Sequence, residues 1–397
     1  MKTLWNDPEY TRGTPPIEMI SPITEVLTAG APVAIGVSGG KDSTATAFVT
    51  LEYLNAVGHQ APRILIHSDL GRVEWRDSLP TCQRLADRLD IELVVVKRKA
   101  GDLLDRWKVR WANNCARYAS LSCVKIILPW STPAMRFCTS ELKTAIICRD
   151  LVERYPQQTI VSVVGLRRQE SPSRAQAPIC SPQQGLRSKT FKTEGYTWHP
   201  ILAWTREDVL AYHEKQEFPL HEAYRVYGTT RVSCAFCILG SQHDLQAAST
   251  CADNADLYRE MVELEIQSTF SFQEKHWLGD VAPHLLDGDA FLRLQKSKQR
   301  AVQREAVEAH IPDHLLYCKG WPTTMPTRSE ALVLSTVRRQ IAEIMEMSVS
   351  YTDPESVLER YAELIALNNQ KTRKVLAGER SFPPHHEQLT TLPGGEQ

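Results

Sequence analysis

Apolar and polar positions follow two registers over the first 165 residues. PVAIGV (32–37), RILIHS (63–68), ELVVVK (92–97) and TIVSVVG (159–165) are short, continuous apolar runs rich in β-branched residues. That is the pattern of strands covered on both faces. Between them, STATAFVTLEYLNAVG, EWRDSLPTCQRLADRL and TSELKTAIICRDLVERY carry a helical period. Strands alternating with helices predict an α/β fold, a parallel sheet with helices on both faces. Ligands of such sheets bind at the carboxyl ends of the strands.

The register breaks at residue 166. RRQESPSRAQAPICSPQQGLRSKTFKTEGY is polar, basic and punctuated by proline, and predicts a long functional loop or flap. A compact segment follows from HPILAW to about residue 245. Beyond residue 250 the pattern is helical and highly charged, as in RLQKSKQRAVQREAVEAH, and predicts a helical C-terminal extension. The ending FPPHHEQLTTLPGGEQ predicts a disordered tail. The expected division is a leader with one helix over 1–30, a main domain over 31–245, a helical region over 246–380 and the tail over 381–397.

Composition narrows the picture only a little. The 397 residues are 42% hydrophobic and 23% charged with a net charge of -1, so any nucleic-acid contact must come from local patches. No run of about 18 apolar residues is present, and nothing is expected to span a membrane. The first sixteen residues lack the apolar core of a signal peptide, which points to the cytoplasm. In a reducing compartment, the ten cysteines suggest metal, cluster or redox roles before disulfides.

The chemistry begins at SGGKDST, Ser38 to Thr44, between the first strand and the first long helical pattern. Backbone N–H groups freed by Gly39 and Gly40, together with the helix N-terminus, make an anion cradle. Lys41 adds a point charge, and Ser38 and Ser43 add hydroxyl donors. Asp42 suits a magnesium or capping role. A Walker A loop is excluded: the Gly36 to Gly40 spacing is one residue short and Asp42 follows the lysine. The GxGxxG dinucleotide pattern is absent as well.

Cys234 and Cys237 form CAFC, a pair able to bind zinc, hold an iron–sulfur cluster or act as a dithiol. Cys251 and His243 are candidate further zinc ligands. Cys138, in RFCTSELK, precedes a helix, where the dipole and Arg136 favour its thiolate. Two basic groups stand out. Lys97, Arg98, Lys99, Arg106, Lys108 and Arg110 form the first; Arg167, Arg168, Arg174, Arg187, Lys189 and Lys192 form the second. The second follows a strand end, where an anionic substrate would lie, and arginine offers bidentate phosphate contacts. His67, His199 and His213 read as structural.

SGGKDS resembles the PP-loop of the ATP pyrophosphatase superfamily. The ordered set HSDLGRVEW (67–75), RFCTSELK (136–143), VVGLRRQES (163–171), HPILAWTREDVLAYH (199–213) and YGTTRVSCAFC (227–237) resembles the phosphoadenosine-phosphosulfate reductase-like branch. The resemblance covers residue 32 to about 245. It implies a Rossmann-like fold with ATP phosphates held by Ser38, Gly39, Gly40, Lys41, Asp42 and Ser43, with Mg²⁺. Asp69 and Arg167 would face the same rim, Asp69 either as a nucleotide or magnesium contact or as a turn residue. Arg231 matches a family arginine that meets the substrate phosphate or sulfate. The motif carrying Cys138 and the CAFC pair would flank one cleft. Three thiolates would then hold a 4Fe–4S cluster with one open iron, or Cys251 would close the site as fourth ligand.

The resemblance is strongest to sulfur-transfer proteins of DNA phosphorothioation, of the Dnd/Ssp type. It implies an ATP pyrophosphatase that adenylates a phosphate-containing acceptor. Lys41, Asp42, Cys138 and Arg231 would carry the reaction, a cysteine desulfurase would donate the sulfur, and other modification-complex subunits would assemble with it. Transfer RNA is an alternative acceptor. Two other readings compete: reduction of adenylyl sulfate or its 3′-phosphorylated form to sulfite, and a non-catalytic nucleotide-binding subunit. The reductases of this family use an ECG-type cysteine near a flexible C-terminus, or a tandem Cys-Cys pair. No cysteine follows Cys318 here, and no such pair occurs.

Overall fold

The computed structural model describes residues 15–376. The expected tail over 381–397 and the leader up to residue 14 lie outside them. The chain divides into two compact units: residues 1–110 with 129–295, and residues 111–128 with 296–397.

The first unit is built on a six-stranded sheet of order β3-β2-β1-β4-β6-β5. The strands are β1 (Val33–Gly36), β2 (Arg63–Asp69), β3 (Leu93–Lys97), β4 (Thr159–Val163), β5 (Cys180–Pro182) and β6 (Glu194–Trp198). All neighbouring pairs are parallel except β5 with β6. The four continuous apolar runs supply β1 to β4, as their pattern predicts.

The period of two sorts the strand residues between two cores. Val33, Ile35, Leu65 and Val161 join one, with Ile23, Phe48, Leu85 and Trp198. Ala34, Ile64, Ile66 and Ile160 join the other, with Leu151 and Val152 of the helix Ala145–Arg154. Helices α1 (Ser21–Thr28), α2 (Lys41–Ala56) and α3 (Ser78–Leu89) thus cover one face, and the helix Ala145–Arg154 covers the other. Each fully buried Val, Leu or Ile contributes about 1.5–3 kcal/mol to this arrangement.

The segment expected as a loop over 166–200 is instead structured and enters the sheet. EGYTW pairs in parallel with β4 from Thr159–Glu194 to Val163–Trp198, and Cys180–Pro182 closes the edge. Its strands are only five and three residues long and sit among polar residues and prolines, so the apolar signal was too short to separate from loop. A helix also went unread: α4 (Leu103–Ala119), whose basic side chains hid its period.

In the second unit, helices Arg328–Met345 and Pro354–Leu376 are the longest wholly contained elements. Arg338, 1% exposed, is satisfied there by the carbonyls of Tyr118, Ala119 and Ser350 and by the Tyr118 ring at 4.9 Å. Among the described residues, no helix is long and apolar enough to cross a membrane.

Candidate anion and thiol site

The strand order reverses at β1, which pairs with β2 on one side and β4 on the other. The crevice beyond their carboxyl ends is the topological switch point, where α/β sheets bind ligands. Ser38 to Ser43 leave β1 at that point. Gly39 has φ +73°, and a Cβ there would lie 3.0 Å from His221 Cδ2 and 3.2 Å from the Ser78 carbonyl oxygen, so only glycine fits. Gly40 begins α2 with no side-chain cap. Ser43 closes the loop on itself: its hydroxyl donates to Gly40 O at 2.9 Å and accepts from Ser38 N at 3.2 Å. Among the described residues, no protein group accepts from the amides of Gly39 or Gly40. A helix start with free amides is an anion site in waiting.

Lys41 is 6% exposed and held from three sides. Its carbonyl accepts from His213 Nε2 at 2.8 Å, its amide donates to the Tyr224 hydroxyl at 3.4 Å, and its ammonium meets Asp42 Oδ2 at 3.1 Å. The other oxygen of Asp42 accepts from Arg167 Nε at 2.5 Å. Asp42 therefore bridges two cations and makes no side-chain cap at the start of α2. Arg167 leaves β4 on the far side of the switch point, and the Asp42–Arg167 pair ties the two lips together. The backbone there is close: a Cβ on Gly165 would stand 2.8 Å from Asp42 O and 2.7 Å from Thr46 Oγ1.

Three further guanidiniums converge on the same place. Burial disfavours the charge on Arg174, and after burial come Arg231 and Arg136, with Asp42 opposing them and Arg167 adding to them. Arg174 also pairs with Glu170. Lys41, Arg136, Arg167, Arg174 and Arg231 thus face two carboxylates, Asp42 and Glu170, and the balance calls for an anion.

The second basic group is split by the fold. Arg167 and Arg174 belong to the carboxyl end of the sheet. Arg187, Lys189 and Lys192 precede β6 at its amino end, away from the loop. In the first basic group, Arg106 is paired with Glu141 and Lys108 with Glu260. Trp107 and Trp198, which lie near these charges in the sequence, are core.

The thiols are placed by separate devices. The Phe137 ring meets the guanidiniums of both Arg106 and Arg110, at 4.9 and 5.0 Å, and this fixes the turn bearing Cys138. A π-helical turn, Ser140–Thr144, follows. Cys234 bridges Glu74 across the chain, and the next amide, of Ala235, donates to Val73 O at 2.8 Å. Glu74 is in turn held by His67 Nε2 at 3.1 Å, while His67 Nδ1 meets Val37 O at 3.0 Å. A carbonyl and a carboxylate only accept, so both ring nitrogens carry protons. Burial opposes that charge, but Cys82 and Glu74 outweigh it and raise the His67 pKa to about 10.

Cys237 Sγ accepts from Leu239 N at 3.5 Å. The side-chain amide of Gln273, through Nε2, donates to the carbonyls of Cys237, Ile238 and Gly240 at 3.3, 3.1 and 2.9 Å. Burial pushes the Cys234 thiol up, followed by charge on Cys237; Lys143 opposes, and Glu74 and Cys138 add to the rise. Cys138, Cys234 and Cys237 therefore share one electrostatic neighbourhood, beside the arginines. Three thiols, one already accepting an amide N–H, are donor chemistry suited to an iron–sulfur cluster. As placed, no three His, Cys, Asp or Glu side chains among the described residues stand close enough to hold a metal ion.

Cys251 stands elsewhere in its bonding: it is 3% exposed and hydrogen-bonded to the side chain of Tyr227. Asp69 caps its own turn, accepting from Gly71 N at 2.7 Å, and lines a separate cavity of about 460 Å³ with Arg72, Trp75 and Asp253. Arg231 donates to Leu239 O at 3.4 Å, which joins the arginine group to the thiol turn. Sequence reasoning missed Tyr224 and Gln273. Neither belongs to a spaced motif, and each acts across a fold contact.

The family model for the phosphoadenosine phosphosulfate reductase domain matches residues 32–239. None of the curated proteins matches the chain. Among solved structures, FMN adenylyltransferase from Candida glabrata, with FAD and inorganic pyrophosphate, is 14% identical with a TM-score of 0.33, covering 57% of this chain and 58% of its own. The U34-tRNA thiolase NcsA from Methanococcus maripaludis, with its 4Fe–4S cluster, is 18% identical at TM-score 0.34, covering 61% and 73%. Phosphoadenylyl-sulfate reductase from Candida auris, as a phosphate complex, is 14% identical at TM-score 0.34, covering 54% and 88%. The chain thus spans less than two thirds of the Candida glabrata protein, and none of these likenesses is close enough to bear on activity.

Proposed function

This chain belongs to the phosphoadenosine phosphosulfate reductase domain family, in the PP-loop superfamily, and from that premise we propose that it is an ATP pyrophosphatase that adenylates a phosphate-bearing acceptor for sulfur transfer, with DNA phosphorothioation as its setting. One observation carries the reading. The free amides of Gly39 and Gly40 and five cations surround one crevice, and three thiols lie beside it.

The steps follow from these groups. An acceptor phosphate oxygen attacks the α-phosphorus of ATP, and the bond to the β-phosphate oxygen breaks. Pyrophosphate leaves with its charge held by the loop amides and Lys41, and Mg²⁺ travelling with ATP would share that charge. A persulfide on Cys234 or Cys237, loaded by a cysteine desulfurase, then presents its terminal sulfur to the acceptor phosphorus. A P–S bond forms and AMP departs. A second thiol of the group cleaves the S–S bond, and an external thiol reduces the resulting disulfide. Those steps belong to the cluster-free thiols; drawn closer than they stand here, Cys138, Cys234 and Cys237 would instead hold a 4Fe–4S cluster, which would supply an open iron for carrying sulfur, and neither arrangement needs Cys251.

The family's own name favours a second reading, reduction of adenylyl sulfate or its 3′-phosphorylated form to sulfite. One experiment separates the two. The protein is incubated with ATP, a nicked or intact DNA duplex and a persulfide source, and in parallel with each sulfonucleotide and a dithiol. DNA-dependent pyrophosphate release is the expected result. Sulfite from either sulfonucleotide, with no pyrophosphate from ATP, would replace this reading with the reductase.

A further inference from the structure

Tyr224 sits where the anion loop meets the segment that leads to the thiols. Its hydroxyl oxygen accepts from Lys41 N at 3.4 Å and from Val232 N at 3.1 Å. Its ring lies under the Lys41 ammonium, 5.3 Å from the nitrogen. The tyrosine is carried by the turn Glu222–Arg225, which His221 caps by accepting from Ala223 N at 3.0 Å.

A phenolic oxygen offers its lone pairs to two donors and has one hydrogen to give. Both acceptor positions are filled by backbone amides, so the O–H is left only to donate. The nearby carboxylate of Asp42 is already shared between Lys41 and Arg167. Among the described residues, no acceptor takes the Tyr224 hydrogen. Two N–H groups on the oxygen also polarise the O–H and strengthen it as a donor. It stands between Lys41 of the loop and Val232, the neighbour of Arg231, in a crevice with excess positive charge.

We propose that Tyr224 donates its hydroxyl hydrogen to an oxygen of the bound phosphate chain, as a ligand-contacting residue of the anion site. The inference rests on the reading that the loop holds a phosphate chain, and it holds for any nucleotide that supplies one. Tyr224 then has two roles in one atom: it fastens the loop to the thiol segment by accepting, and it grips the ligand by donating.

Two variants separate these roles, with inorganic pyrophosphate, ATP and adenosine as probes in calorimetric titration of the full chain. Tyr224→Phe removes both roles, and a hydrogen bond to a charged group lost in this way should weaken pyrophosphate and ATP binding about tenfold or more, with adenosine binding unchanged. Replacement of Tyr224 by a trifluorotyrosine, whose phenol ionises near neutrality, keeps the oxygen as acceptor and so keeps the fold. Its phenolate has no hydrogen to give and repels an anion. The ratio of its pyrophosphate affinity to that of the natural protein, taken at each pH, should fall as pH rises through the phenol's pKa. A ratio flat across that range, or a Tyr224→Phe protein that binds pyrophosphate as tightly as the natural one, overturns the inference alone. Failure of the natural protein to bind either pyrophosphate or ATP removes the phosphate-chain reading and the inference with it.

Discussion

Gly165→Ala tests whether the backbone approach behind the loop sets its geometry. A Cβ at this position would stand 2.8 Å from Asp42 O and 2.7 Å from Thr46 Oγ1, about 0.6–0.7 Å short of the 3.4 Å where ordinary contact begins. Those two atoms are bonded to each other, Thr46 Oγ1 donating to Asp42 O at 2.7 Å. The methyl therefore cannot be accommodated by one flexible side chain; the first turn of α2 or the exit of β4 must move. Overpacking of this kind costs about 1–3 kcal/mol. The melting temperature moves by about 2–4 °C per kcal/mol for about 150–250 residues and by less for a longer chain, so it should fall here by a few degrees. The shift also drags Asp42 off Arg167, and the loop amides move with it. A displacement near 1 Å at reacting groups costs about 100-fold in rate, so a loss of roughly tenfold in pyrophosphate release is expected here. The assay is initial-rate pyrophosphate release from ATP, alongside thermal melts and ATP titration. Gly288→Ala is the control, because nothing lies within 4 Å of its Cβ. A Gly165→Ala protein within about twofold of the natural rate and affinity would refute the reasoning. A lowered melt with unchanged kinetics would show that β4 yields and the loop does not depend on it.

Three further expectations follow from the same site. Lys41→Ala should abolish pyrophosphate release while the circular dichroism spectrum stays unchanged; retained activity would take the lysine out of the reaction. Cys234→Ser should lose iron, sulfide and visible absorption in protein purified without oxygen, whereas Cys251→Ser should keep them, since that thiol is bonded to Tyr227; equal loss in both would make Cys251 a ligand. His67, raised from 6.5 to about 10, contributes stability that is complete below pH 6.5 and disappears as pH climbs through 10. Denaturant titrations of the natural protein should therefore show a decline across that window that His67→Gln lacks, and parallel curves would contradict the charged histidine.

Much of this was legible along the chain. Four strands, the loop and the CAFC pair announce themselves because each is a local pattern: β-branched runs, paired glycines before a helix, cysteines two residues apart. The sheet's fifth and sixth strands did not, since EGYTW is short and its burial comes from pairing with β4. Charge clusters misled in another way. Arg174 and Arg187 are thirteen residues apart in sequence but stand at opposite ends of the sheet, a separation that only the direction of β6 decides. Asp42 was read by its neighbours in sequence, whereas its partner, Arg167, lies 125 residues on. Tyr224 depends on Lys41 at 183 residues' distance, beyond the reach of any motif.

The match to the family ends at residue 239, yet Gln273 latches three carbonyls of the turn that ends there. A chain cut at the edge of the recognised domain would keep both cysteines of CAFC and lose the hand that holds them still. Grafting the CAFC turn onto a relative would have to bring the stretch through Gln273 as well, since the matched part of the sequence does not contain everything that turn leans on.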